Sequence, residues 1–401
     1  MLTKEQQQVL SCLDEKGLIR FLQRLVQTNS ENPPGNEQSV AQIITDELYH
    51  SGIDTVKQTV EDNRFNVIAV REGMDKEKLL FNGHMDTVLC GDVERWNDPP
   101  LSGTIIGDKM FGRGSADMKG GLAAQIFAFK ALVCSGILFK RGMMLTAVVD
   151  EEVGFKGTQA LIDDHWIDDC VYGVVAEPSS LHIADCLKGG IEFTLRVYGR
   201  SAHTGVASTG DNAVISMTRM IGAIEKYSNR LKRRQHPLLG SPTCNIGRIE
   251  GGYGVTLVPE FCDMAFDRQL LPGEQIAEVD YEIKDLLHQT ASEFGIHMDL
   301  VRTQSFPAWQ LSHDADVTHL LHGAYKQLYG RPAAYTGFNG YSEVELLARH
   351  GLPSLIFGPG DLAVAHAPNE YISLKQVIEA AKVYALLGCQ FVGKSSNKQN
   401  F

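Results

Sequence analysis

The chain has 401 residues, 43% of them hydrophobic, and a formal net charge of -12. That length exceeds one ordinary hydrophobic core and favours two domains. The acidic balance excludes nucleic acid and anionic membrane surfaces as partners, because both are recognised by a basic face, and no run of about 18 uninterrupted apolar residues is there to span a bilayer.

Eight cysteines are scattered without a CxxC pair, and the opening MLTKEQQQVL lacks the basic-then-apolar character of a secretory leader. A cytoplasmic location with free thiols is the expectation. Residues 3–27 have helical apolar spacing; SENPPGNEQSV then reads as a Pro/Gly loop in which Asn36 is placed to cap a helix reaching residue 51. Short apolar runs follow: NVIAV, KLLFNGHMDTV, MMLTAVVDEE, YGVVAEPSS and, much later, LPSLIFGPGD, with helical stretches such as GGLAAQIFAFKALVCSG among them. That alternation predicts an α/β fold whose central sheet is buried and mostly parallel.

Between residues 188 and 301 the texture changes. IEFTLRVYGR reads as a strand, DNAVISMTRMIGAIEKYSNRL as a helix, CNIGRIEGG and VPEFCDMAFDRQL as strands, EQIAEVDYEIKDLLHQTASEF as a helix and IHMDLVRT as a strand. The order βαββαβ is that of a ferredoxin-like α+β domain, inserted between segments 1–187 and 302–401, which together form the first domain. A helix over residues 374–389 closes the fold, and the polar tail GKSSNKQNF is expected to be disordered.

Each core strand ends in a residue able to bind metal or move a proton: His84 and Asp86, then Glu151 and Glu152, then Glu177, and His366 after a Gly-Pro-Gly loop. Ligands of open α/β sheets bind outside the carboxyl ends of strands. His84 and Asp86, two apart, share a side of an extended chain, so the carboxylate is placed to fix the imidazole tautomer. Asp117 sits in FGRGSADMKGG, whose four glycines permit close backbone approach; an aspartate there is able to bridge two cations. A phosphate loop is the rival, but the stretch matches neither GxxxxGK[ST] nor a correctly placed GxGxxG. Adjacent Glu151 and Glu152 diverge on an extended backbone, so one is placed to reach a metal while the other meets its water. Two histidines and three carboxylates suit zinc, with cobalt or manganese as substitutes. Five ligands are too many for one tetrahedral zinc and a sensible count for two ions sharing a bridge. The like charges of Asp150, Glu151 and Glu152 are thus expected to be met by metal rather than by Lys156 or a distant arginine, with Asp150 serving local hydrogen bonds.

Taken in order, NPPGNE, GHMDTV, GRGSADMKGG, DEEVGFKG, AEPS, GRSAH, FGPG and AHAPNEY resemble the family of zinc metallopeptidases that holds aminoacylases, acetylornithine deacetylase, succinyl-diaminopimelate desuccinylase and carboxypeptidase G. The resemblance implies a zinc-peptidase-like catalytic domain with an inserted lid and dimerisation domain. It implies His84 and Glu177 on one metal, Glu152 and His366 on the other, Asp117 bridging, Glu151 as general base and Asp86 orienting His84. It further implies that His203, in GRSAH, steadies the oxyanion in a partner subunit's active site, and that Asn245, Arg268, Gly337 and Asn339 contact substrate. Glu343 stands where many relatives carry Asp, and CLKGG where many have a histidine before KG.

The function implied is metal-dependent removal of an acyl group from a small N-acylated amino acid or related amine, by a homodimer. A dipeptidase or carboxypeptidase would share every metal ligand. A non-catalytic metal-binding protein is the reading from a different class, and the acid beside the ligands argues against it, since a pure binder needs no base.

Overall fold

The computed structural model describes residues 2–394; the tail expected to be disordered lies outside the described residues from 395 on. The principal strands, in chain order, are β1 (Thr55–Glu61), β2 (Arg64–Arg71), β3 (Lys78–His84), β4 (Gly142–Val148), β5 (Cys170–Val175), β6 (Ile183–Leu187), β7 (Gly189–Tyr198), β8 (Cys244–Gly251), β9 (Phe261–Leu270), β10 (His297–Phe306) and β11 (Ser354–Ile356). They divide between two units: Met1–Asp185 with Leu311–Thr336 and Ser342–Phe401, and Cys186–Gln310 with Gly337–Tyr341. The second unit starts two residues earlier than expected and ends later, because β10 runs on to Phe306. It also takes in Gly337–Tyr341, which lie within the segment 302–401 expected to belong to the first domain.

In the first unit the sheet order is β1-β2-β4-β3-β5-β11-β6. The four strands β4, β3, β5 and β11 are parallel, and β3 and β4 are buried at every position, which is why they read as unbroken apolar runs. The NVIAV run behaves differently from its parallel neighbours: β2 is antiparallel to β4. Helix Gly120–Cys134 is buried nearly all round, as a helix without a polar face must be, and it packs against helix Leu374–Val392.

Two local expectations need correction. Residues 3–27 form two helices, Lys4–Ser11 and Glu15–Val26, because the Asp14 side chain accepts the Gly17 N–H and starts a new helix. Asn36 does not cap the following helix: Gln38–Tyr49 has Glu37 at the cap position and no side-chain cap bond. The Glu37 carboxylate is engaged by Arg64 instead.

The second unit is the expected βαββαβ, with sheet order β8-β9-β7-β10 and every neighbouring pair antiparallel. Alternate residues of β7, from Ile191 to Val197, pack with Met217, Ile224, Ile283 and Leu287 of its two helices. Phe193 stacks on Phe266 at 5.1 Å, a cross-strand aromatic pair that pins the register.

Candidate metal centre

The carboxyl ends of the four parallel strands carry the chemistry. His84 closes β3, Asp150, Glu151 and Glu152 follow β4, Glu177 follows β5, and His366 lies beyond β11. Asp117 arrives separately, from the loop before helix Gly120–Cys134. That loop needs glycine at 114, where φ is +79° and a Cβ would meet Thr87 Cγ2 at 2.5 Å.

Asp117 divides its oxygens between two histidines. Oδ1 is 3.3 Å from His84 Nε2, and Oδ2 is 3.3 Å from His366 Nε2. On the His366 side, Glu152 Oε2 lies 3.2 Å from the same Nε2. Glu151 Oε2 lies 3.9 Å from His84 Nε2. Ligand atoms of His84, Asp117 and Glu152 all fall within 4.8 Å of one another. His84 is fully buried and Glu177 2% exposed, and Glu177 Oε1 has no hydrogen-bond partner among the described residues.

The electrostatics match that crowding. Burial alone would depress the His84 imidazole, but Glu151, Asp117 and Asp86 outweigh it and drive it well above 6.5. Burial pushes Glu151 and Glu177 well above the ordinary carboxyl value, reinforced for Glu151 by Glu177 and Glu152, and for Glu177 by Asp117. Hydrogen bonding to Asp117 and Glu152 raises His366 to about 10. Buried carboxylates in mutual repulsion, one of them with an orphaned oxygen, form a donor set that fits a pair of divalent cations. Imidazole and carboxylate are also the donors such ions as zinc accept.

The acidic turn is divided more finely than its spacing shows. Asp150 meets a cation of the protein: its Oδ1 is 2.9 Å from Arg64 NH1 and accepts Asn32 Nδ2 at 3.0 Å. The distant arginine is therefore part of the remedy for the three like charges, contrary to the expectation that metal alone would be. Asp86 has two tasks. The nearer acceptor for His84 Nδ1 is the Asp86 backbone carbonyl at 2.9 Å, with the carboxylate at 3.5 Å. That carboxylate also receives the backbone N–H of Glu151 at 3.2 Å, of Glu152 at 3.1 Å, and Asn32 Nδ2 at 2.9 Å. It holds the acidic turn as well as flanking the imidazole.

The remaining expected residues lie in the second unit. His203 is exposed, and its Nδ1 accepts the Gly205 N–H at 3.0 Å, which leaves the proton of the neutral ring on Nε2 as an outward donor. Asn245 lines a cavity of 340 Å³ on the sheet face opposite the helices, with Glu192, Asp267 and Thr303. Gly337 is packed so that a Cβ would meet Leu239 Cδ2 at 2.5 Å, and Asn339 is exposed. Arg268 is the clear correction. It is fully buried, and its forked donors already hold a carboxylate, Glu274, at 2.7 and 3.3 Å, while Nε reaches the Tyr227 hydroxyl at 2.9 Å. An arginine so committed is not free to receive a substrate carboxylate.

Three acids and amides at the centre escaped the sequence reading in this role. Asn32 joins Asp86 to Asp150; NPPGNE was the only signal for it. Glu343, noted there only as a departure from relatives, is fully buried beside Thr158. It adds to the field that raises Glu151 and Glu177. Glu370, four residues beyond His366, receives the Asp117 N–H at 3.2 Å.

The model of peptidase family M20/M25/M40 matches residues 80–388. The N-formyl-4-amino-5-aminomethyl-2-methylpyrimidine deformylase of Halalkalibacterium halodurans is 27% identical, over 92% of this chain and 93% of its own. Acetylornithine deacetylase of Vibrio cholerae is 29% identical over 89% and 92%. Among solved structures, Bacillus subtilis YXEP, described as a dinuclear metal binding peptidase, superposes with a TM-score of 0.73 at 13% identity, over 94% of this chain and 98% of its own.

Proposed function

We propose that this chain, which belongs to peptidase family M20/M25/M40, removes an acyl group from a small N-acylated amino acid or related amine by hydrolysing its amide bond. The observation that carries the reading is the split of Asp117 between His84 and His366, one oxygen 3.3 Å from each ring. His84 and Glu177 would hold one divalent ion, Glu152 and His366 the other, and Asp117 both. Zinc is the ion this donor set favours, and cobalt or manganese would substitute.

Ions bound there supply Lewis acidity for the scissile carbonyl and lower the pKa of the attacking water. Glu151, buried beside the ligands, takes the water proton as the new C–O bond forms. It then gives that proton to the leaving nitrogen as the C–N bond breaks. Asp86 keeps the Glu151 and Glu152 backbone in register for these tasks. His203, with Nε2 as donor, steadies the oxyanion across a homodimer. The edge of β8, unpaired among the described residues, its own Ile249 and nearby Val255, 51% and 95% accessible, suit pairing with a second copy. The dimer is assigned to the cytoplasm.

A dipeptidase or carboxypeptidase reading uses the same centre. The commitment of Arg268 to Glu274 does not separate the readings, because an N-acylated amino acid and a peptide both carry a free carboxylate. Metal analysis together with hydrolysis of N-acetyl, N-succinyl and N-formyl amines and of dipeptides tests the assignment. E151Q is expected to keep two ions and lose about 10²–10⁴ in turnover, whereas E152A loses an ion. Equal metal loss in both variants would refute the division of roles.

A further inference from the structure

Glu370 is 1% exposed and spends every acceptor it has on one short segment. Its Oε1 receives the N–H of Ala116 at 2.9 Å and of Asp117 at 3.2 Å. Its Oε2 pairs with Arg113 NH1 at 2.6 Å, and its backbone carbonyl receives the Gly112 N–H at 2.9 Å. Arg113 is itself 2% exposed and lies over the Trp96 ring at 5.2 Å. A buried ion pair of this kind is poor value for stability alone, because desolvation cancels most of the attraction.

What the pair does achieve is geometric. Asp117 has extended backbone angles, φ -119° and ψ 101°, and with Met118 it interrupts the helical turn, while Glu370 takes up its amide and the one before it. The carboxylate that must face two histidines thus hangs from a backbone fixed by Glu370. The same short segment that ends in Glu370 carries His366, whose Nε2 is 3.3 Å from Asp117 Oδ2. Both sides of that contact are tied to one residue. Asn369 secures the segment from its other side, with Oδ1 accepting the Asn97 N–H at 2.7 Å.

We propose that Glu370 is a positioning residue that sets Asp117 against His366, so that the ligands of the second ion are assembled before the ion arrives. The inference rests on the dinuclear reading above. It assigns the work to the acceptor oxygen rather than to the charge. Groups that orient metal ligands in this way cost about 10–100-fold in metal affinity when removed.

The test is calorimetric titration of zinc into the metal-stripped full chain, with the visible spectrum of bound cobalt as a second readout. It compares the wild type with R113M/E370Q, which keeps an oxygen for the two amides, and R113M/E370L, which does not. The first variant is expected to bind two ions at wild-type affinity. The second is expected to bind its weaker ion about 10–100-fold more weakly, with an altered cobalt spectrum. Two ions at wild-type affinity in R113M/E370L overturn the proposal. Should that variant not fold, R113M/E370Q decides: two ions support the acceptor role, and loss of one overturns it. A wild type that binds fewer than two ions would instead overturn the dinuclear reading.

Discussion

Removing the Glu274 carboxylate tests whether Arg268 is a structural or a substrate-binding residue. In E274A the Arg268 guanidinium, fully buried, loses both oxygens that satisfy NH1 and NH2 at 3.3 and 2.7 Å. It keeps the Tyr227 hydroxyl on Nε and the Gln269 carbonyl on NH1, while the Leu271 N–H loses its acceptor at 2.8 Å. Stranding one member of a buried pair costs about 3–5 kcal/mol. At about 1.4 kcal/mol per factor of ten, exchange through unfolding of the second unit should speed up by two to four powers of ten. Hydrogen exchange with mass spectrometry reads this directly in peptides from β7 to β10, with peptides from β3 and β4 as internal control. R268M/E274L replaces both members by apolar groups and should recover most of the loss, and it should keep its discrimination among substrates with and without a free carboxylate. Acceleration below tenfold in E274A, or a selective rise in KM for carboxylate-bearing substrates in R268M/E274L, would refute the structural assignment.

The same pair has a pH signature. Burial opposes the Glu274 charge, but the Arg268 hydrogen bond, the Leu271 amide and Arg234 overcome it and hold the carboxyl below 4.5. Its stabilisation is therefore complete above about 4.5 and lost as pH falls through the lower folded value, so the stability gap between wild type and E274Q should narrow from pH 7 to pH 3 in urea titrations. H203A should lose on the order of 100-fold in kcat with little change in KM, and an unchanged kcat would remove His203 from the reaction. I249D/V255D should elute as a monomer in gel filtration and lose activity with dimerisation; an active monomer would sink the in-trans role. Chelation should lower the calorimetric melting temperature, since a ligand at about 1,000 times its Kd contributes about 4 kcal/mol to the native state.

The strand ends were legible because burial on both faces of a parallel strand forces an unbroken apolar run, and a polar residue that ends it stands out. The βαββαβ order was legible for the same local reason. What stayed hidden depends on partners far along the chain. Arg64 meets Asp150 and Glu370 meets Asp117 across 86 and 253 positions, and no spacing rule reports such pairs. Asn36 misled because capping preference is local, whereas the bond Glu37 makes with Arg64 is not. Arg268 misled because a forked donor suits any carboxylate, and the sequence does not say that the nearest one is six residues away.

Gly337–Tyr341 has a practical meaning for recombining relatives of this protein. Within the second unit, the Tyr341 hydroxyl lies where a Cβ on Gly190 would be only 1.9 Å away, and the Tyr341 ring packs on Phe306 at 4.5 Å. The inserted unit is therefore not a cassette. A chimera that exchanges only the contiguous stretch between Cys186 and Gln310 would carry a foreign Gly190 and Phe306 against the host's Tyr341, and a workable graft must move both pieces of chain together.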